Sequence, residues 1–144
     1  GLDRIRPLSH TPRTKGGAIT KAATEVGAIV GAKFLVAFTK SGDSARRMAR
    51  LRSHIPILAL TPDVGTYNRM ALSWGVEPML APMVNHTDEM VKQVDAILLQ
   101  SHRALAGEVV MIVAGSPPGI PGSTNAMRVH RIGDAVGGIA PAYR

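Results

Sequence analysis

Phe34-Leu35-Val36-Ala37-Phe38-Thr39-Lys40-Ser41-Gly42-Asp43-Ser44 is the stretch that decides the fold class. Its first five residues are apolar without interruption, the pattern of a strand covered on both faces of a sheet. Hydroxyls, a lysine and a glycine then break the run. Helical spacing takes over from Ala45 to Leu51. A doubly covered strand feeding a helix through a short turn is the opening half of a βαβ unit.

The same alternation extends outward. Upstream, Ala18, Ile19, Ala22, Ala23, Val26, Ile29 and Val30 recur at three- and four-residue intervals and predict a helix. Downstream, Ile55 to Leu60 reads as a strand, and Thr61-Pro62-Asp63 as a helix start with proline near the first turn. Tyr67, Met70, Ala71 and Trp74 supply the inner face of that helix, and Gly75 stops it. Val76 to Ala81 makes a third strand. Thr87-Asp88 is placed to cap a long helix with Met90, Val91, Val94, Leu98 and Ser101 along one side. Glu108 to Ala114 holds Val-Val-Met-Ile-Val, a fourth strand, and Met127 to Ile132 a fifth.

Strands alternating with helices imply a mostly parallel sheet covered on both faces. The connection before the fifth strand is too short for a helical crossover, so that strand runs antiparallel to its neighbour. The expected fold is an α/β three-layer α/β/α sandwich on a five-stranded mixed sheet. Residues 1–15, with prolines and arginines and no apolar period, read as a linker from an upstream region. The domain then spans 16–133, and the Gly/Ala-rich 134–144 a flexible tail.

Composition bounds the function. At 144 residues with 45% hydrophobic content, the chain is long enough for one core and too apolar for disorder. Aromatic residues are only 3%, so the core rests on Val, Ile, Leu, Met and Ala, which suit close helix-on-sheet packing. With no cysteine, disulfide scaffolds, thiolate metal sites and cysteine nucleophiles drop out. No apolar run reaches the roughly 20 residues a membrane span requires, and no signal peptide opens the chain, so cytoplasm is the expected compartment. The formal charge of +7 is scattered from Arg4 to Arg144, with few aromatics for base stacking. That argues against nucleic acid and leaves phosphorylated small molecules as fitting anions, or simply a well-solvated surface.

Two loops follow buried strands, where α/β sheets collect ligands. In the first, Thr39, Lys40, Ser41, Gly42, Asp43 and Ser44 place hydroxyls, a cation and a glycine at a helix start. Exposed amides and the helix dipole favour phosphate there. An ordinary strand-to-helix turn with Ser41 or Asp43 as N-cap fits the same residues. The glycine spacing of a Walker motif is absent, and Asp43 puts a negative charge beside the turn. The second loop, Gly115-Ser116-Pro117-Pro118-Gly119-Ile120-Pro121-Gly122, is stiffened by proline. It reads either as a cover over a ligand or as a tight strand connection. Arg46 and Arg50 share a helix face, which with Arg47 can meet an anion or simply be solvated. The histidines at 10, 54, 86, 102 and 130 show no metal spacing, and no catalytic residue emerges.

Phe38 to Arg46, Ile55-Pro56-Ile57-Leu58-Ala59-Leu60-Thr61-Pro62, Trp74-Gly75-Val76, and Gly115 followed by Gly122-Ser123-Thr124-Asn125 and Met127-Arg128-Val129 resemble the C-terminal domain of pyruvate kinase. The order is unbroken from about residue 17 to 132. Ser116 to Gly119 and His130 to Gly133 are similar to actinobacterial members. The resemblance implies a five-stranded α/β regulatory unit that binds a phosphorylated effector and joins a homotetramer. Thr39, Lys40, Ser41, Gly42 and Ser44 would hold the effector phosphate, and 115–122 would cover it. Ser116-Pro117 stands where fructose-1,6-bisphosphate-regulated members tend to offer Trp-Arg, so AMP or a sugar monophosphate fits better than a bisphosphate. Catalysis in the family, from phosphoenolpyruvate and ADP to pyruvate and ATP with magnesium and potassium, belongs to a barrel outside these residues. The chain itself is expected to carry no cofactor and no kinase activity. The alternative is a free-standing phosphate- or nucleotide-binding protein on the same fold.

Overall fold

The computed structural model describes residues 15–73, 75–114 and 126–135. In chain order the elements are α1 (Lys15–Val30), β1 (Leu35–Phe38), α2 (Asp43–Arg50), β2 (Ile57–Thr61) and α3 (Val64–Met70). They continue as β3 (Val76–Leu80), α4 (Thr87–Gln100), β4 (Val109–Ala114) and β5 (Ala126–Arg131). The strands form one sheet in the order β3-β2-β1-β4-β5. All pairs are parallel except β4 with β5, as expected from the short connection.

Handedness explains the layers. The chain steps outward from β1 to β2 to β3 through α2 and α3, then returns across the sheet to β4 through α4. Right-handed crossovers in opposite directions put their helices on opposite faces. Strand alternation divides the core accordingly. Leu35, Ala37, Ile57, Ala59, Met111 and Val113 pack with Ala23, Ala45, Met48 and Met70 on the side of α1, α2 and α3. Val36, Leu58, Leu60, Val110, Ile112 and Ala114 pack with Met90, Val91, Val94 and Leu98 of α4.

The inner stripe of α1 differs from its apolar period. Gly16, Thr20, Ala23 and Gly27 face the sheet, Ile19 and Val26 are half-buried, and Ala18 and Val30 are exposed, with Ile29 82% exposed. Small residues win the inner face because the helix lies close: a Cβ added at Gly27 would sit 3.1 Å from Leu35 Cδ2. Hydrophobicity alone could not show that distance mattered more than side-chain size.

Helix ends also depart from the expected caps. Asp63 is the N-cap of α3, accepting from Thr66 N–H at 2.8 Å, and Pro62 precedes it rather than sitting in the first turn. The buried residues of that short helix are Thr66 and Met70; Tyr67 is half-buried and Ala71 exposed. Trp74 lies outside the described residues. His86, not Thr87 or Asp88, is the N-cap of α4, without a side-chain bond, while Asp88 and Glu89 sit in its first turn and offset the dipole. Ser101 is its C-cap. The segments 1–14, 115–125 and 136–144 lie outside the described residues, which includes the Pro/Gly loop at 115–122 and most of the linker and tail.

Candidate anion site

Strand order places the site. β1 lies between β2 and β4, and the direction of winding reverses between β1 and β4. Outside the carboxyl ends of those two strands is the crevice where ligands of open α/β sheets settle. The turn after β1 begins there, and the chain leaving β4 starts beside it, because Ala37 pairs with Val113 and Ala114 with Ala126. Topology thus brings the turn after β1, the last residue of β4 and the first of β5 to one edge.

Within the turn, hydroxyls hold the backbone. Thr39 N–H continues the ladder to Leu60 O at 3.0 Å. Gly42 N–H donates to Thr39 Oγ1 at 2.7 Å, and Asp43 N–H to Ser41 Oγ at 3.2 Å. Gly42, with φ of 92°, is the N-cap of α2, and no side chain caps that helix. Neither Ser41 nor Asp43 takes the cap, because the left-handed glycine bends the chain into the helix instead. That conformation suits glycine. The added space is also used: a Cβ there would lie 2.7 Å from Arg46 Nη1 and 3.4 Å from Met70 Cγ.

The turn is braced from α3. Thr66 Oγ1 donates to Lys40 O at 2.6 Å, and Arg69 Nη2 donates to Thr66 Oγ1 at 3.0 Å. Local spacing gave no sign of Thr66 or Arg69, since the first bond spans 26 residues. Bonds from the Thr66 backbone and then its side chain hold the Asp63 carboxyl below its ordinary value. Burial opposes this, and Arg69 and Lys40 add smaller attractions.

The chemistry of the turn is that of hydroxyl donors. The amides of Gly42 and Asp43 are bonded inside the loop, so the nearest N–H groups are less available than expected. A hydroxyl that accepts an N–H keeps its own proton to donate, which leaves Thr39 and Ser41 as donors. Lys40 and Ser41 are exposed and Thr39 half-buried, whereas Ser44 is only 3% exposed, beneath the turn. Asp43 is paired with Arg46 at 2.5 Å, so the carboxylate next to the turn is locally neutralised. Arg47 and Arg50 stand in the last turn of α2, at the negative end of its dipole.

Beside the same crevice a cavity of about 230 Å³ lies between the first turn of α4 and the ends of β4 and β5. Thr87, Met90, Ile112, Ala114 and Arg128 are among its lining residues. Among the described residues no cluster of three or more His, Asp or Glu side chains could hold a metal ion. One buried polar pair, His130 with Asp95, went unread in the sequence because 35 residues separate its members.

An open α/β domain with its crevice at the strand-order switch is the class these elements define. Residues 17–130 match the family described as pyruvate kinase, alpha/beta domain, and the chain belongs to that family. A pyruvate kinase of Mycobacterium tuberculosis is 49% identical over 128 residues, 89% of this chain and 27% of that protein. One of Corynebacterium glutamicum is 45% identical over 131 residues, 91% of this chain and 28% of its own length. One of Agrobacterium vitis is 36% identical, in keeping with the actinobacterial likeness of the sequence. The chain thus spans little more than a quarter of these relatives. A crystal structure of a Cryptosporidium parvum pyruvate kinase shares the fold, with a TM-score of 0.74 at 21% identity over 85% of this chain and 23% of that one. Among the described residues no helix is long and apolar enough to cross a membrane.

Proposed function

We propose that this chain is the regulatory α/β domain of a pyruvate kinase and binds a phosphorylated effector at Thr39 to Ser44. The observation that carries the reading is the turn's place: a glycine-bent, hydroxyl-bearing turn at the start of a helix with no side-chain cap, at the switch point of the sheet. Lys40 supplies charge, Thr39 and Ser41 supply O–H donors, and the helix dipole adds attraction. The neighbouring apolar cavity offers room for the organic body of an AMP or sugar monophosphate. In the parent enzyme the same domain contributes to a homotetramer. β5 supports this role, since it is a sheet edge with Met127 and Val129 exposed. The parent reaction, phosphoryl transfer from phosphoenolpyruvate to ADP in the cytoplasm with magnesium and potassium, belongs to the rest of that enzyme. Nucleic acid and membrane are not partners in this reading.

Calorimetry with AMP, hexose 6-phosphates and inorganic phosphate tests the site. Ser41→Asp sets a carboxylate where the phosphate belongs. Losing a charge-assisted hydrogen bond costs about 1.5–3 kcal/mol, so affinity should fall roughly ten- to hundredfold or more. Equal binding by both proteins would place the site elsewhere. A coupled assay on the 144-residue chain should show no turnover of phosphoenolpyruvate and ADP. Turnover would contradict the regulatory assignment.

A further inference from the structure

Within edge strand β5 the α4 side carries no large apolar side chain; the buried Ile132, just beyond the strand, is its apolar anchor. Val110 and Ile112 of β4, both on the α4 side of the sheet, stand opposite His130 and Arg128. The inward row of β5 is therefore Ala126, Arg128 and His130, with the exposed Met127, Val129 and Arg131 alternating on the other face. His130 is the buried member of the strand, 4% exposed, and it meets Asp95 of α4, which is 0% exposed. His130 Nε2 and Asp95 Oδ1 are 2.7 Å apart, and Asp95 Oδ2 accepts Ala135 N–H at 2.9 Å. One carboxylate thus ties down both the strand and the turn that follows it.

We infer that Asp95 and His130 form a latch that sets the register of β5 and, through it, the position of Ala126 at the switch-point edge of the sheet. A buried carboxylate that loses a donor is destabilised, so the two bonds favour the one register of β5 that makes both. Sliding β5 by one residue replaces His130 with Val129 or Arg131 and turns every side chain to the other face. Asp95 then loses its ring donor. At the far end of the strand, Ala126 pairs with Ala114 beside the switch-point crevice, so the register fixed at His130 is felt there. The consequence for effector binding rests on the function proposed above. The latch itself does not.

The test uses the 144-residue chain as wild type, Asp95→Asn, His130→Asn and His130→Gln. Asparagine at 95 can keep Ala135 N–H on its oxygen only by turning its NH2 toward His130, which reverses that bond and demands the other ring tautomer, and asparagine at 130 is too short to reach the carboxylate. Glutamine at 130 sets an amide nitrogen near the place of Nε2 and serves as the rescue. Amide hydrogen exchange should accelerate by roughly tenfold or more across 126–135 in the two asparagine variants, because the carboxylate's bond to the ring is reversed in one and lost in the other. Exchange in β1 and β2 should stay at wild-type rates, and His130→Gln should recover most of the protection. Acceleration spread evenly over the sheet, unchanged exchange in β5, or no rescue by glutamine would overturn the latch. In a second arm, AMP and inorganic phosphate are titrated into each protein. Weaker binding in the asparagine variants, with residues 39–44 untouched, supports the coupling to the turn. Equal affinity despite a loosened β5 overturns it. Absence of binding by wild type overturns the anion reading and the coupling with it, while the exchange arm still decides the latch.

Discussion

The amides of the 39–44 turn and the buried pair in the seam between β5 and α4 are satisfied at different range. In the turn, Gly42 bonds to Thr39 three residues back and Asp43 to Ser41 two residues back. In the seam, Asp95 bonds to His130 from 35 residues away, in a layer closed to water. Short-range bonds at a surface can be remade with water when one partner changes. Long-range bonds in a core are all or nothing. The difference teaches that the residues suited to ligand chemistry sit where loss is tolerated, and those that position the strand sit where it is not.

The sharpest way to break this contrast is to cut both regions and compare stability. Asp95→Ala leaves His130 and Ala135 N–H without their acceptor and should cost about 3–5 kcal/mol in urea unfolding, in the range for a broken buried pair. A loss under about 1 kcal/mol would mean that the seam behaves like a surface. Gly42→Ala should cost less, about 1–2 kcal/mol, since alanine resists a φ of 92° while the encroached Arg46 tip can swing away. A loss as large as that of Asp95→Ala would make the turn, too, a core element.

The smallest effect belongs to the exposed carboxylates. Glu77 is held below its ordinary value of 4.5 by its bond to Arg103, against some burial and with a further charge attraction. Glu108 is held down first by Leu105 N–H and then, against burial, by Lys33. A carboxyl lowered in the folded state contributes stability that is present above its unfolded value and lost as pH falls through the folded one. Thermal midpoints should therefore decline below about pH 4.5 and be flat above it in respect of these groups. Glu77→Gln should soften the acid decline and change neutral stability by less than about 1 kcal/mol. An unchanged acid limb would remove Glu77 from it.

How much was legible in the sequence follows the same division. The strand at Phe34 to Phe38, the turn after it and the antiparallel last strand were readable because apolar runs and loop lengths are local signals. The 39–44 residues were named from their chemistry, and the structure puts them at the switch point. Local reading failed where distance in space decided the outcome. Gly16, Thr20, Ala23 and Gly27 face the sheet because α1 lies close to it, which no hydrophobic period reveals. Thr66 and Arg69 brace the turn from another crossover, and Asp95 meets His130 only once the sheet has closed. The amides of Gly42 and Asp43 were expected to face an anion, and the neighbouring hydroxyls claimed them first.

The central claim is that an anion settles at the turn after β1. Amide NMR of the chain titrated with AMP tests it most directly. The account predicts saturable shifts centred on Lys40 to Arg46, falling away through the far ends of β1 and α2, and absent at the same concentrations in Ser41→Asp. Saturable shifts confined to another part of the fold, or identical shifts in Ser41→Asp, would contradict it.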